Sequence, residues 1–142
     1  MHKKFIPLFL IGMLLLTSCY GQKKSSSIPA VVKESFARQF PGVSAKWEKE
    51  NGRYEASFKL NDHDMSATFE FNGKLIESET AIPINELPGP IRNYISNHYK
   101  RSVIKEAAKI TFENGTIQYE AAIRGKDLIF DSSGNFVKEV KD

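Results

Sequence analysis

An internal repeat is the feature that most constrains how this chain can fold. Ile28-Pro29 recurs as Leu87-Pro88, 59 residues further on, and the same offset separates two apolar stripes with i, i+4, i+8 spacing. The stripes are Val32, Phe36 and Phe40 in the first half and Ile91, Ile95 and Tyr99 in the second. Such spacing is typical of a helix with one face against a core. We predict a first helix from about Pro29 to Phe40, ended by Pro41-Gly42, and a second beginning near Pro90, since proline is tolerated in a first turn.

After each predicted helix, apolar and polar residues alternate, which is the pattern of half-buried antiparallel strands. The apolar positions are Tyr54, Ala56, Phe58, Leu60, Met65, Ala67, Phe69 and Phe71, then Ala108, Ile110, Phe112, Ile117, Tyr119, Ala121 and Ile123. Asn51-Gly52 and Asn114-Gly115 predict two-residue hairpin turns, because both positions of such a turn favour positive φ. Asn72-Gly73 and Ser133-Gly134 mark another matched pair of turns. Each half is therefore predicted to be a helix followed by three or four meandering strands, an α+β fold.

The hairpin turns also predict which side chains share a face, because residues opposite each other in a hairpin lie on the same side of the sheet. The predicted pairs are Trp47 with Ala56, Phe112 with Ile117, and Ile110 with Tyr119. All three pairs are apolar. We therefore expect this face to pack on the helices and Trp47 to be shielded.

The other side of the sheet, which we call the open face, is predicted to be polar and of mixed charge, without an aromatic residue. Its predicted members are Glu48, Glu50, Arg53, Glu55, Ser57, Lys59, Ser66, Thr68, Glu70, Lys109, Thr111, Glu113, Thr116, Gln118, Glu120 and Arg124. A partner binding there would depend on charge complementarity. The candidate binding residues are Glu48, Arg53, Glu55, Lys59, Glu70, Lys109, Gln118 and Glu120.

The single cysteine, Cys19, lies between an apolar run and a polar segment. Residues 1–18 have a basic start, an apolar run of 12 residues and a small polar end, which is the layout of a secretory signal. The run is shorter than the roughly 20 residues that span a membrane as a helix. Leu16-Thr17-Ser18-Cys19 resembles the lipobox of bacterial lipoproteins, in which a peptidase cuts before a diacylated cysteine. The alternative, a buried free cysteine, does not account for this upstream context.

We therefore expect a signal peptide at 1–18, lipid on Cys19 and a flexible tether over 19–27. Tyr20 follows the cysteine, and in lipoproteins of this kind a residue other than Asp there implies outer-membrane sorting. Cleavage would leave 124 residues, the size of one domain, with 18 basic residues against 17 acidic ones. Such a balance leaves no basic patch suited to nucleic acid. The expected partners are the membrane, through the lipid, and another envelope protein.

No pattern in the sequence indicates catalysis or a cofactor. His98 lies on the second apolar stripe and is expected to be half-buried and hydrogen-bonded. His63 lies in Asn61-Asp62-His63-Asp64, which could hold a metal but has the composition that turns prefer. We favour a loop there, because a tight metal site needs further ligands and no partner spacing is evident.

The lipobox, the two helix-plus-meander halves and Phe40-Pro41-Gly42 together resemble the PepSY-like family of bacterial secreted proteins. The resemblance implies the fold of the beta-lactamase inhibitor protein: two tandem repeats sharing one curved antiparallel sheet, with the helices on one face. It would cover residues 28–142, with repeat 1 over about 28–84 and repeat 2 over about 85–142. The family brings no catalytic residues to this chain.

These observations predict a periplasm-facing, lipid-anchored, non-enzymatic binding or accessory module of unknown ligand. The alternative is a protein inhibitor of a secreted or periplasmic enzyme, which the expected lack of an aromatic anchor on the open face disfavours. A third hypothesis is a small-molecule or metal scavenger that uses the His63 loop.

Overall fold

The computed structural model describes residues 27–141. The predicted signal peptide, Cys19 and the tether up to residue 26 lie outside the described residues. Within them the helices are α1, Ala30–Gln39, and α2, Gly89–His98, and a short 3-10 helix, Ile84–Glu86, precedes α2. Neither described helix has the length and apolar character needed to cross a membrane.

Eight strands form one antiparallel sheet whose spatial order follows the chain from β1 to β8. They are β1 Lys46–Glu50, β2 Arg53–Leu60, β3 His63–Phe69, β4 Leu75–Ala81, β5 Glu106–Phe112, β6 Ile117–Ile123, β7 Lys126–Asp131 and β8 Phe136–Lys141. Each repeat therefore contributes one helix and four strands. Pairing of β4 with β5 joins the repeats into a continuous sheet. The predicted α+β class with a curved sheet is confirmed.

Each helix packs its apolar stripe on the strands of its own repeat, all on one side of the sheet, which we call the helix face. Val32 and Phe36 of α1 pack with buried residues of β2 and β3. Ile91 and Ile95 of α2 pack with buried residues of β5, β6 and β7. The 59-residue offset is confirmed, because the two helices begin at Ala30 and Gly89.

A glycine of the last turn in each repeat lies against the start of that repeat's helix. A Cβ atom on Gly73 would lie 2.8 Å from the carbonyl oxygen of Val31, and one on Gly134 would lie 2.9 Å from Cβ of Pro90. Both glycines have positive φ, 85° and 86°. The matched turns identified in the sequence thus allow the turn backbone to approach the helix more closely than any side chain would permit.

The first hairpin has the predicted register. Asn51 and Gly52 both have positive φ, 50° and 79°, as a two-residue turn of this kind requires. Trp47 pairs with Ala56. Its ring is half-buried and meets the ring of Phe36 edge-on at 5.3 Å, on the helix face as predicted.

The predicted register of the second hairpin is wrong by one residue. Gly115 has positive φ, whereas Asn114 does not, and the N–H of Phe112 donates to the carbonyl of Thr116 across a three-residue turn. The observed pairs are consequently Thr111 with Ile117, Lys109 with Tyr119 and Ile110 with Gln118. Because side chains alternate along a strand, this slip moves each side chain of β5 to the opposite face from the one predicted.

Two open-face assignments are therefore wrong. Lys109 and Thr111 lie on the helix face, opposite Tyr119 and Ile117. With Ser78 and Thr80 of β4 they form a half-buried polar strip between the two helix-packed clusters. The strip is polar because it lies between two separate apolar clusters rather than within either.

Candidate functional site: an acid cluster on the open face

The open face is the inside of the curved sheet. Asp127 of β7 raises the pKa of Glu79 on β4, three strands away. Lys138 of β8 acts on the pKa of Glu77, four strands away. In a flat sheet three strand spacings amount to about 14 Å, too far for a strong effect. The sheet therefore curves so that side chains of distant strands converge on the open face.

Five carboxyl side chains converge there, and we call them the acid cluster. They are Glu55, Glu77, Glu79, Glu120 and Asp127. The strand register places them on one face. Glu55 and Glu77 are both cross-strand partners of Thr68. Glu79 is the cross-strand partner of Ile110, and Glu120 is that of Ile129. Neither α1 nor α2 covers this side, yet Glu79, Glu120 and Asp127 retain only 8%, 2% and 8% of their exposure.

Burial and mutual repulsion favour the neutral form of these acids. Burial, and to a lesser extent the charges of Glu79 and Asp127, together raise the pKa of Glu120 to about 9. Burial first, then the charges of Glu77 and Glu55, together raise the pKa of Glu79 to about 8. At neutral pH the centre of the cluster thus holds protons rather than full negative charge.

At the edge of the cluster toward β2, the pKa lies closer to neutral pH. Burial first, then the nearby Glu48 and Glu50, raise the pKa of Glu55 to about 7, while a hydrogen bond from Ser66 opposes the rise. Burial also raises the pKa of Glu77, against the opposing charges of Arg53 and Lys138. The cluster therefore has a protonated centre and a partly ionised side toward β2.

Two oxygens of the acid cluster have no hydrogen-bond partner. They are Oε1 of Glu79 and Oε2 of Glu120, both buried. Buried polar atoms are normally paired, and leaving one unpaired costs about 1–3 kcal/mol. The fold thus keeps two unpaired carboxyl oxygens on the inside of its sheet.

Apolar side chains flank these acids on the open face. Ile110 and Ile129 are buried at 4% and 1% exposure, and Phe112 is half-buried beside Glu77. The expectation that the open face carries no aromatic residue is therefore wrong. The reason is the three-residue turn after β5, which places Phe112 and Ile110 on the side opposite Ile117 and Tyr119.

Most predicted binding residues lie on the open face. Those placed there by register are Glu48, Arg53, Glu55, Lys59, Gln118 and Glu120. Lys109 is on the helix face, and Glu70 lies in the turn after β3, where its N–H donates to the carbonyl of Lys74. Among the other predicted members, Glu113, Thr116 and Arg124 lie at turns. A role of these residues in binding remains a prediction.

Sequence reasoning missed Glu77, Glu79 and Asp127. In β4 the glutamates alternate with Ser78 and Thr80, so both faces of the strand are polar and the alternation does not indicate which face each occupies. Asp127 is the second residue of β7, a strand that is buried on both sides. The detectable signal was the i, i+2 spacing of Glu77 and Glu79 alone.

The two described histidines lie on separate elements, His63 on β3 and His98 at the end of α2. Asn61 and Asp62, with φ of 50° and 64°, make a two-residue turn, and His63 begins β3 with its Nδ1 3.3 Å from the carbonyl oxygen of Ala81. His98 is exposed rather than half-buried, because it is stacked on the outer side of Tyr94 at 4.0 Å. Across residues 27–141, no group of three His, Cys, Asp or Glu side chains is arranged to hold a metal ion.

Two tandem helix-plus-meander repeats on one curved antiparallel sheet define the class of protein to which this chain belongs. A family model described as "Putative beta-lactamase-inhibitor-like, PepSY-like" matches it twice, over residues 20–77 and 67–138. The two matches together span most of the chain. The protein belongs to this PepSY-like family, as the sequence resemblance indicated.

Solved structures with the same fold come from Bacteroides. A DUF2874 family protein from Bacteroides uniformis superposes with a TM-score of 0.71 at 16% identity, covering 80% of this chain and 88% of its own. A "putative periplasmic" protein from Bacteroides eggerthii gives 0.69 at 14%, covering 81% and 89%. A BLIP-like protein from Bacteroides fragilis gives 0.65 at 18%, covering 81% and 86%. At these identities the similarity shows the fold alone.

Proposed function

We propose that this protein is a lipid-anchored, non-enzymatic binding module of the bacterial cell envelope, and that it binds its ligand on the open face. The observation that carries the proposal is the acid cluster, in which buried acceptors of Glu79 and Glu120 are unfilled. Apolar side chains at these positions would cost less free energy of folding than unpaired carboxyl groups. Stability alone therefore does not account for the two glutamates. A bound partner would fill them.

A binding role also accounts for what surrounds the cluster. The side chains of Ser57, Ser66 and Gln118 offer hydrogen bonds along the same face, and Phe112 offers an apolar anchor. By contrast, the described histidines are exposed and their ring nitrogens lie against backbone carbonyls rather than acids. That arrangement supports binding over acid–base catalysis.

The envelope location is supported by the predicted lipobox and by the description of the Bacteroides eggerthii fold neighbour as a "putative periplasmic" protein. Lipid on Cys19 would hold the domain through a tether that leads into α1, on the side of the sheet away from the acid cluster. The open face would then be free to receive a partner.

The anchor is tested by replacing Cys19 with Ala in the native host. We expect wild-type protein in the membrane fraction with acyl chains on the new N-terminus, and the variant without lipid. A wild-type chain that keeps Met1 and an unmodified Cys19 would contradict the anchor.

The binding face is tested with a photo-crosslinking side chain at Gln118, on the open face, and at Lys33, which is exposed on α1. We expect a discrete crosslinked species in cells from position 118 and not from position 33. Crosslinks only from position 33, or from neither position, would reject the open face as the binding surface.

A second candidate is a protein inhibitor of a secreted or periplasmic enzyme. Phe112 on the open face favours it, since aromatic side chains are the commonest anchors of tight protein interfaces. If the partner crosslinked from position 118 is an enzyme, the purified chain should inhibit it, and Phe112→Ala should weaken the inhibition at least tenfold. An enzyme that retains full activity when bound would exclude this function.

A further inference from the structure

We propose that the acid cluster is a receptor for basic side chains of a partner polypeptide, with an ammonium or guanidinium group held by Glu79 and Glu120. The aliphatic part of that side chain would lie against Ile110 and Phe112. The inference rests on the proposed binding function and specifies the chemistry of its ligand.

The first step is the geometry of the two central acids. Glu79 and Glu120 stand on either side of β5, where Glu79 pairs with Ile110 and Glu120 pairs with Ala108. Their unpartnered oxygens, Oε1 of Glu79 and Oε2 of Glu120, are both buried on this side of the sheet. Two acceptors that lack donors are best satisfied by a group that carries several N–H donors, which Lys and Arg side chains do.

The second step separates an organic cation from a metal ion. In residues 27–141 no three acidic, histidine or cysteine side chains meet as metal ligands. Phe112, which is half-buried, instead provides apolar surface beside the acids, next to the buried Ile110 and Ile129. A basic side chain matches both parts, because its stem packs on apolar surface while its charged end is hydrogen-bonded. An aromatic ring nearby adds attraction for a cation.

The third step separates a polypeptide from a small amine. The acid cluster draws its five carboxyl groups from four strands, β2, β4, β6 and β7. A single amine would contact only some of these groups. In an extended chain every second side chain points the same way at intervals of about 7 Å, so one segment could present several basic groups. The chain as a whole has a net charge of +3, so the acidity belongs to this face.

Binding of a cation should release protons. The charged groups that act on Glu79 and Glu120 are Glu55 of β2, Glu77 of β4, Glu106 of β5 and Asp127 of β7, while the bases Arg53 of β2 and Lys138 of β8 act on Glu77. The acids outnumber the bases, so the free cluster retains protons at neutral pH. A bound cation stabilises the ionised form and lowers the pKa values, and affinity should therefore rise with pH.

The test is calorimetric titration of the purified full chain in detergent with an N-acetylated, C-amidated Arg-Thr-Arg-Thr-Arg-Thr peptide. The matched probe has Gln for each Arg, and 1,4-diaminobutane represents a small amine. We expect binding of the arginine peptide alone, at least about tenfold tighter near pH 9 than near pH 6, with proton release that depends on buffer ionisation.

The variant test uses Glu79→Gln with Glu120→Gln, which keeps side-chain shape and removes ionisation. We expect the pair to lose at least about tenfold in affinity, with its thermal midpoint reported to show that it is folded, while Glu34→Gln, at an exposed position on α1, stays within about twofold. Equal binding by the double variant, equal binding of the Gln peptide, or no binding of the arginine peptide at either pH would overturn the inference. Diaminobutane binding as tightly as the arginine peptide would overturn the polypeptide as the ligand.

The two proposals can fail separately. If position 118 crosslinks a partner in cells but the arginine peptide does not bind, the binding function stands and the basic ligand is rejected. If the peptide binds but position 118 gives no crosslink, the chemistry of the cluster stands and its use in the cell is rejected.

Discussion

Replacing Glu120 with Gln should change how the stability of the fold depends on pH. The pKa of Glu120 is raised from 4.5 to about 9 in the folded chain, chiefly by burial. The folded state therefore binds more protons than the unfolded state between those values. The stabilisation is fully present below the unfolded pKa and is lost as pH rises toward the folded one, so the free energy of unfolding should fall from about pH 5 to about pH 9.

The size of this effect can be bounded from the structure. One pKa unit corresponds to about 1.4 kcal/mol, so even half of the rise from 4.5 to about 9 corresponds to about 3 kcal/mol, a large share of the roughly 5–15 kcal/mol that stabilises a typical domain. Glutamine cannot ionise, so Glu120→Gln should be within about 1 kcal/mol of wild type at pH 5 and about 3 kcal/mol more stable at pH 9. Glu79 remains in that variant, so some of the slope should persist.

The assay is urea unfolding followed by circular dichroism at several pH values between about 5 and 9. Glu34→Gln, at an exposed position on α1 and away from the acid cluster, serves as the control and should leave the pH slope unchanged. If the wild-type free energy of unfolding is flat over this range, or if Glu120→Gln keeps the full slope, the cluster is not protonated in the folded state and the reasoning fails.

Three further predictions concern the fold. Gly73→Ala should destabilise the fold by about 3 kcal/mol, because the new Cβ would meet the Val31 carbonyl. Gly52→Ala, also at positive φ but with nothing within 4 Å of the new Cβ, should destabilise it by about 1 kcal/mol. Equal urea midpoints for the two variants would contradict the contact. Phe36→Ala should destabilise the fold by about 3–5 kcal/mol, and Trp47→Ala by about 1–2 kcal/mol because the tryptophan is only half-buried. Soluble quenchers should reduce the fluorescence of Trp47 to an intermediate extent, and a freely quenched tryptophan would refute its packing. Calorimetry should show one unfolding transition, because β4 pairs with β5 and half the chain buries too little surface to be stable alone; two resolved transitions would show independent repeats.

The local features of the sequence predicted much of this fold. The apolar stripe through Val32 and Phe36 predicted α1, and its counterpart through Ile91 and Ile95 predicted α2. Both helices could be predicted because the helical period appears in the sequence as the spacing of apolar residues. Asn51-Gly52 predicted the first hairpin and its register correctly, since both residues adopt the positive φ they favour. The helices and this turn depend on residues that are near neighbours in the chain, so they can be recognised in the sequence.

The second hairpin shows where such reasoning stops. Asn114-Gly115 looks the same in sequence, yet Oδ1 of Asn114 accepts a hydrogen bond from the N–H of Thr116 and only Gly115 has positive φ. Two-residue and three-residue turns differ by a small local free energy, so neighbouring strands decide between them. Here β4 pairs with β5 and fixes Ile110 beside Glu79.

The acid cluster was decided by tertiary structure alone. The sequence determined the repeat, the helices, the alternation of the strands and the family, and it placed Glu55 and Glu120 on the open face. Only the curvature of the complete sheet brings β4 and β7 close enough for Glu79 and Asp127 to share an environment. Alternation along one strand tells which side a residue faces, but burial on that side depends on strands that are distant in sequence. Acidic residues that the sequence pattern assigns to the surface are thus buried and protonated in the fold.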